Sequence, residues 1–496
     1  MEALQIYQQI KAKINAYQYA LYLINWDSET EAPVGSFEER SKQVGKLVEM
    51  MLACSHDPQY IEALNQLSSH REELDEDTKR AIIKDKEALD KELKIPTEEL
   101  VAYEMLLAKS QTLWQQAKLS NDYSKFSGAL KDIIDFQRKY IGYLETEETK
   151  GYDVLLDDYE KGFTQADYDY FFKVLKEELV PFVKSITAKP QIKDDFIKKS
   201  YSIEKQKAYA RYLMNVMAFD PQYGITKESE HPFTSGYGTT DVRVTCHYYE
   251  QLLTSSIFSM IHELGHATYE RQCNPKYDDT ALAGGTTMAM HESQSRFYEN
   301  IVGRSEAFWK THFPKLKTLF EEELREVTTD DFYHAVNKVE KSLIRTEADE
   351  LTYPLHIMVR YDIEKMIFEE GVDVDALPSL WNRLYKDYLD IDVPNDTEGI
   401  LQDVHWAGGS FGYFPTYALG SAYAAQLYYQ MKKEIDVEEA FGEEQLQTVN
   451  AWLKEKVHQF AGSKTPKEIL LEVTGESFNP HYYVTYLKEK YSKIYQ

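Results

Sequence analysis

The segment Ser255–Glu270 constrains the fold more than any other part of the chain. Its centre reads H-E-L-G-H over residues 262–266, and the two histidines lie four residues apart, so they share one face of a helix. Two imidazoles in this arrangement can bind one metal ion. The apolar residues recur at steps of three and four on another face, which is the pattern of a buried helix side: Leu253, Ile257, Met260, Ile261 and Leu264. The segment therefore predicts a helix that carries a metal site.

Glu263 follows the first histidine and points beside the metal position, where a carboxylate can accept a proton from a water activated by the metal. The third ligand is expected from Glu292, which opens another helix 26 residues after His266. Two histidines and one glutamate leave a coordination position open for water, as in catalytic zinc sites. His291 is the alternative third ligand, and Cys246 is disfavoured because H-E-x-x-H sites usually recruit an acid or a further histidine.

The composition is that of a soluble globular protein, with 43% hydrophobic and 28% charged residues among 496. No linker rich in Ser, Gly or Pro divides the chain, so we expect a single unit over 1–496. A formal net charge of −27 disfavours nucleic acid and anionic membranes as partners. Residues 1–19 show no signal-peptide core, no membrane-spanning segment follows, and three widely spaced cysteines indicate a reducing compartment, so we predict a cytoplasmic protein.

Residues 1–220 have the periodicity of long amphipathic helices, as in Leu100, Tyr103, Leu107 and Trp114. A break at 23–27, followed by Ala32-Pro33, predicts a turn between two helices.

Prolines and glycines then interrupt the helical pattern between Phe219 and Tyr249, and residues 241–248 alternate like a strand. We expect a short sheet on the floor of a cleft. Its strand could pair with an extended peptide or simply brace the metal helix.

Two later segments belong to the same group of motifs. Residues 344–349 are expected on a helix, where Arg345 is either a solvated charge or a clamp for a carboxylate. Residues 399–406 lead into a flexible loop rich in glycine and aromatic residues. A histidine and a tyrosine of such a loop, lying over a metal, could donate hydrogen bonds to a developing oxyanion.

Taken together and in order, these motifs resemble those of the carboxypeptidase Taq family of metallopeptidases, over essentially the whole chain. The matching motifs are H-P-F at 231–233, D-x-R-x-T at 241–245, H-E-x-x-H at 262–266, H-E-S-Q-S at 291–295, I-R-x-x-A-D at 344–349 and G-x-x-Q-D-x-H-W at 399–406.

The resemblance implies a mainly α-helical, deeply clefted fold of the neurolysin and angiotensin-converting-enzyme type, with a short sheet beside the active site, assembled as a homodimer. It also implies one divalent metal ion per subunit, with zinc as the first choice and cobalt as the second. The residues to which it gives roles are His262, His266 and Glu292 as ligands, Glu263 as general base, Arg345 as anchor of the substrate carboxylate with His231 or Arg243 assisting, and His405 with Tyr417, or alternatively Tyr413, as oxyanion donors.

The predicted function is release of single C-terminal residues from peptides with broad specificity, by a catalytic part at 221–496 under a helical roof at 1–220. Three alternatives remain. The first is an endo-oligopeptidase of the same fold. The second is a di-iron carboxylate protein that pairs Glu263-x-x-His266 with Glu228-x-x-His231. The third is a helical peptide-binding scaffold that retains structural zinc.

Overall fold

The computed structural model describes residues 2–496 and is mainly α-helical. The first part of the chain is a succession of helices joined by short turns. These helices are α1 (Glu2–Thr30), α2 (Phe37–Ser55), α3 (Pro58–Ser69), α4 (Glu76–Lys94), α5 (Thr97–Ser120), α6 (Ser124–Leu144), α7 (Tyr152–Asp157), α8 (Gln165–Val174), α9 (Val180–Thr187) and α10 (Ile203–Val216).

Within the described residues, the strands β1 (Gly224–Glu228), β2 (Thr234–Gly236) and β3 (Val242–Cys246) form one sheet. The strand β3 lies in the middle, parallel to β1 and antiparallel to β2. Both of its edges are therefore used inside the sheet, and the expectation that this strand pairs with a peptide is wrong. Both β3 and β2 pack against the metal helix, which supports the bracing alternative, and Thr234 of the outer strand β2 contacts Glu263.

The second part of the chain is again helical. Its helices are α11 (Leu253–Gln272), α12 (Met288–Arg296), α13 (Glu306–Leu319), α14 (Thr329–Val336), α15 (Tyr353–Glu369), α16 (Leu377–Leu389), α17 (Pro415–Glu434), α18 (Val437–Phe441), α19 (Gln447–Lys456), α20 (Pro466–Thr474) and α21 (His481–Ile494). A π-helical turn, Phe297–Val302, continues α12. The helix α11 carries the H-E-x-x-H segment and packs against α10, α12 and β3.

The hydrophobic core is divided into a large and a small cluster. The large cluster joins side chains from Ala81 to Tyr495, and it includes the apolar face of α11 that the sequence predicted. The small cluster joins α1, α3 and α4 through residues such as Ile10, Leu64 and Ile82. The mainly helical fold with a short sheet is thus confirmed, whereas the division at residue 220 stays a prediction.

Two local expectations need correction. The turn expected at 23–27 with Ala32-Pro33 lies only at its Ala32-Pro33 end, because α1 continues through Trp26 to Thr30 and ends before Pro33, whose ring prevents helix continuation. Residues 344–349 do not lie on a regular helix, since only Arg345–Glu347 form a 3₁₀ turn. The carboxylate of Asp349 accepts hydrogen bonds from the backbone N–H groups of Leu351 and Thr352, which competes with helical bonding and ends the segment before α15.

No helix within residues 2–496 combines the length and the apolar character needed to cross a bilayer.

Candidate metal centre and active site

Two histidines of α11 and one glutamate of α12 meet at a single point. The Nε2 atoms of His262 and His266 each lie 3.6 Å from Oε2 of Glu292, and the three ligand atoms lie within 4.8 Å of one another. Metal bonds of about 2.0–2.1 Å in tetrahedral geometry separate two donor atoms by about 3.3 Å. The two nitrogens and one oxygen therefore fit a divalent metal ion of the kind that keeps a position open for water.

Two glycines, one on α11 and one on α17, let these helices approach α12 closely enough to place Glu292 beside the two histidines. A Cβ atom on Gly265, inside the H-E-x-x-H segment, would lie 2.9 Å from Cα of Ser295 and 3.1 Å from the carbonyl oxygen of Gln294. A Cβ atom on Gly420 of α17 would lie 2.8 Å from both Cβ and Cγ of Glu292. Carbon atoms normally pack at about 3.5–4.0 Å. Any side chain at either glycine would therefore displace α12 from the two histidines.

The second nitrogen of each histidine is already hydrogen bonded. Nδ1 of His262 lies 2.9 Å from Oε2 of Glu299. Nδ1 of His266 lies 2.7 Å from Nδ1 of His291, whose Nε2 lies 2.7 Å from Oε1 of Glu270. Because a metal-binding Nε2 must keep its lone pair, His266 donates from Nδ1 to His291, which in turn donates to Glu270. The geometry thus favours Glu292 as the third ligand and gives His291 the role of orienting His266.

The metal-facing carboxylate is held from its other side by Arg296. Nε of Arg296 donates to Oε1 of Glu292 at 2.7 Å, and Nη1 donates to Oε2 of Glu299 at 3.2 Å. One cation therefore orients a ligand and the carboxylate that supports another ligand.

Sequence reasoning missed three of these supporting residues, Arg296, Glu299 and Glu270. A signal for them was present, since 262, 266 and 270 lie at helical steps of four, and 292, 296 and 299 at steps of four and three.

Glu263 lies beside the ligand group and is only 8% exposed. Oγ1 of Thr234, on β2, lies 2.7 Å from Oε2 of Glu263. Burial raises the pKa of the Glu263 carboxyl above its ordinary value. A carboxylate with a raised pKa is a stronger proton acceptor than one in water, which suits a general base.

Arg345 lies in a buried cluster that contains a second arginine. Its Nε and Nη2 donate to Oδ1 of Asp403 at 3.2 and 3.0 Å, and its Nη1 donates to the hydroxyl of Tyr353 at 3.0 Å. Arg360, which is fully buried, donates from Nε to Oδ2 of the same aspartate at 2.7 Å. The ring of Tyr353 also packs under the guanidinium of Arg296, so this cluster adjoins the metal ligands on the Glu292 side.

His405 and the two tyrosines form the wall next to Arg345. Nε2 of His405 lies 3.3 Å from the hydroxyl of Tyr417, and the imidazole ring stacks on Tyr413 at a centroid distance of 5.7 Å. The Arg345 guanidinium lies 5.1 Å from the centre of the Tyr417 ring. Burial, with a smaller contribution from the positive charge of Arg345, lowers the pKa of His405 to about 4, while burial raises the pKa of Tyr417. His405 is therefore neutral and Tyr417 keeps its proton near neutral pH.

The loop between His405 and α17 is fastened by one buried carboxylate. Glu364 of α15 accepts hydrogen bonds from Nε1 of Trp406 and from the backbone N–H of Gly412, both at 2.7 Å. Nε2 of Gln137 donates to the carbonyl oxygen of Gly409 at 2.9 Å. Gly409 and Gly412 have φ values of 74° and 86°, in the left-handed region that favours glycine. The loop that we expected to be flexible is thus held at both ends.

His231 and Arg243, the two residues expected to assist Arg345, lie in surroundings that differ from those of Arg345. His231 is exposed, and its imidazole has no hydrogen bond to any residue of the range 2–496. Arg243 forms a bidentate pair with Asp241 at 2.7 and 2.8 Å and lies over the ring of Trp26, which braces α1 against the sheet. Their proposed part in substrate binding stays a prediction, and no contact in the described residues supports it.

Two alternatives from the sequence lose support. Glu228 lies on β1 and pairs with Lys207 at 2.7 Å, so Glu228-x-x-His231 is not a bundle helix that could complete a di-iron site. The thiol of Cys246 points at the carbonyl oxygens of His247 and Ser256, both at 3.6 Å, and burial raises its pKa to about 12. A thiol in this state is unsuited to bind a metal.

Known proteins resemble this chain over nearly its whole length. Residues 6–491 match the sequence profile of the family described as carboxypeptidase Taq (M32) metallopeptidase. Carboxypeptidase 1 of Bacillus subtilis is 41% identical over 97% of both chains, and thermostable carboxypeptidase 1 of Pyrococcus furiosus is 35% identical over 98% of both chains. The crystal structure of an M32 carboxypeptidase from Deinococcus radiodurans superimposes with a TM-score of 0.96 at 30% identity, covering all of both chains. The chain therefore belongs to the carboxypeptidase Taq (M32) family of metallopeptidases.

Proposed function

We propose that this chain is a metal-dependent carboxypeptidase that releases single residues from the C-termini of peptides, with broad specificity. The proposed ligands His262, His266 and Glu292 hold one divalent ion per subunit, with zinc as the first choice and cobalt as the second. We also propose a cytoplasmic homodimer in which residues 221–496 form the catalytic part and residues 1–220 roof its cleft. The family resemblance and the presence of only three cysteines, an odd number, support this assignment.

The observation that carries the proposal is an unbalanced buried charge next to the metal ligands. Arg345 and Arg360 share the single carboxylate of Asp403, so the three side chains together carry one net positive charge. Glu364, one helical turn from Arg360, does not fully balance this charge, because burial raises its pKa to about 7. A buried unpaired cation is costly unless a ligand neutralises it. The C-terminal carboxylate of a peptide has the charge and the planar shape that an arginine binds well.

The chemistry follows from the residues around the ligand group. When bound, the metal ion supplies a Lewis acid that polarises the scissile carbonyl and acidifies the attacking water. Glu263, beside the ligands, accepts a proton from that water and passes it to the nitrogen of the leaving amino acid. Arg345 holds the carboxylate of that amino acid, which limits cleavage to the last peptide bond.

Tyr417 and His405 are proposed to stabilise the negative charge that develops on the carbonyl oxygen. If the neutral imidazole of His405 donates from Nε2 to the Tyr417 oxygen, the Tyr417 proton remains free for the substrate. In this tautomer the Nδ1 atom of His405, which has no hydrogen-bond partner within residues 2–496, carries no proton. Tyr413, stacked on His405, is the alternative donor.

The test is mass spectrometry of a free-acid peptide and of its C-terminally amidated form, each incubated with metal-loaded and with chelator-treated protein. We expect successive single-residue losses from the C-terminus of the free acid only, and only with metal. Internal fragments from either peptide would contradict the proposal and favour an endo-oligopeptidase, which the relatives do not suggest.

A further inference from the structure

A cavity of about 620 Å³ lies between α1, α4 and the turn after α11, away from the proposed catalytic residues. Small and aromatic side chains make up much of its wall: Tyr7, Ala12, Ala16, Tyr19, Tyr237 and Tyr277. Nothing in the catalytic scheme above uses this cavity.

Several polar groups around the cavity are already paired within the protein. The Tyr7 hydroxyl donates to Asp85 at 2.6 Å, the Tyr237 hydroxyl donates to the carbonyl oxygen of Asn15 at 2.6 Å, and the Tyr277 hydroxyl donates to Asp77 at 3.0 Å.

The two lysines of the wall are likewise paired. Lys11 pairs with Asp85 at 2.7 Å, and Lys276 pairs with Asp77 at 2.5 Å. The tyrosine rings therefore present mainly carbon surface, and the cavity suits an apolar or aromatic group better than a charged one.

A second, polar cavity of about 590 Å³ adjoins the apolar cavity. Asn15, Tyr237 and Thr280 line both cavities. The polar cavity reaches the catalytic centre at His291, which contacts the ligand His266, and at Thr234, which contacts Glu263. The two adjoining cavities, which we call the groove, therefore extend from the residues that contact His266 and Glu263 to the apolar cavity.

The groove and the carboxylate anchor adjoin different residues of the metal site. Arg345 is connected to Glu292 through Tyr353 and Arg296, whereas the groove begins beyond His266 at His291. A peptide whose C-terminal carboxylate binds Arg345 must extend its preceding residues into the groove. This direction rests on the proposed carboxypeptidase function.

We propose that the apolar cavity, lined by the residues above, binds an apolar or aromatic side chain of the substrate upstream of the scissile bond. A cavity of 590 Å³ is about 8 Å across, and an extended peptide advances about 3.3–3.6 Å per residue, so two or three residues cross the polar cavity. The side chain that enters the apolar cavity then belongs to the third or fourth residue before the scissile bond. The enzyme therefore prefers peptides of at least four or five residues with a large apolar residue at that position.

The test compares free-acid hexapeptides that have the same C-terminal residue and carry either phenylalanine or glycine at the third or the fourth position before the scissile bond. We expect kcat/KM to be about tenfold or more higher with phenylalanine at one of these positions, from burial of an aromatic side chain. Ala12→Trp and Ala16→Trp, at exposed positions of α1 that line the cavity, should abolish this ratio by filling the space. The matched control is Ala53→Trp, on an exposed position of α2 outside both cavities, and it should keep the ratio.

Two results would overturn the inference. Equal kcat/KM values for phenylalanine and glycine peptides in the unaltered enzyme would show that the cavity contributes no specificity. A phenylalanine preference that survives both Ala12→Trp and Ala16→Trp would place the responsible pocket elsewhere. In either case single-residue release from a tripeptide would still support the carboxypeptidase function, whereas a lack of metal-dependent release from every peptide would remove that function and this inference together.

Discussion

Replacement of Gly420 by alanine should weaken metal binding, although residue 420 itself supplies no atom to the metal site. The new Cβ would lie 2.8 Å from Cβ and Cγ of Glu292 and 3.0 Å from the carbonyl oxygen of Ala289. Since carbon atoms pack at about 3.5–4.0 Å, either α17 retreats or Glu292 moves by roughly 0.7–1.2 Å. Metal ligands tolerate only about 0.2 Å of displacement. We therefore expect metal affinity to fall by roughly 10–100-fold and the free energy of unfolding of the apoprotein to fall by roughly 1–3 kcal/mol.

Metal affinity is measured by competition with a chromophoric chelator, and stability by urea unfolding with and without metal. The matched control is Gly142→Ala, because Gly142 is an exposed residue of α6 and a Cβ there would meet no atom within 4 Å. That substitution should leave metal affinity unchanged and stabilise the helix by about 0.5–1 kcal/mol. If Gly420→Ala bound metal and unfolded like the wild type, the close approach of α17 would not position Glu292, and the reasoning would be refuted.

Three further substitutions test individual residues. Glu263→Gln should keep the metal content, measured by atomic absorption, but lower kcat by roughly 10²–10⁴-fold, and near-normal turnover would exclude Glu263 as the base. Arg345→Ala should reduce kcat/KM for free-acid peptides by a factor that corresponds to roughly 2–5 kcal/mol of transition-state stabilisation, down toward the low value for amidated peptides, and a variant that keeps a strong preference for free-acid peptides would exclude Arg345 as the anchor. Burial raises the pKa of Glu160 from 4.5 to about 7, so between these pH values the folded protein keeps a proton that the unfolded chain releases, and stability falls as pH rises. The Glu160→Gln variant lacks this effect. Its free energy of unfolding minus that of the wild type, both measured by urea unfolding, should therefore increase by roughly 3 kcal/mol between pH 4.5 and pH 7.5. The same pH dependence in both proteins would contradict a raised pKa of Glu160.

The metal helix and its two histidines could be predicted because their arrangement is local. A spacing of four residues on a periodic helix places His262 and His266 on one face regardless of the rest of the fold. The same spacing of four residues would have indicated Glu270, one helical turn after His266, and Arg296, one helical turn after Glu292. The family resemblance, and not periodicity, pointed to Arg345 as a substrate anchor.

The features that could not be predicted depend on contacts between distant segments. The central position of β3 results from a parallel pairing with β1, which a period of two residues cannot reveal. The charge balance at Arg345 depends on Asp403, 58 residues away in sequence, and on the buried Arg360. The groove between α1 and the turn after α11 likewise joins residues separated by more than 200 positions.

The attachment of the 405–412 loop to Glu364 has an entropic consequence for peptide binding. Fixing the backbone of one residue costs about 1–2 kcal/mol, so ordering the five residues Gly408–Gly412 at the moment of binding would cost roughly 5–10 kcal/mol. The bonds from Trp406 and Gly412 to the buried carboxylate impose this order when the protein folds, before any peptide arrives. The free energy of peptide binding is therefore not spent on ordering the loop that carries the proposed oxyanion donor His405.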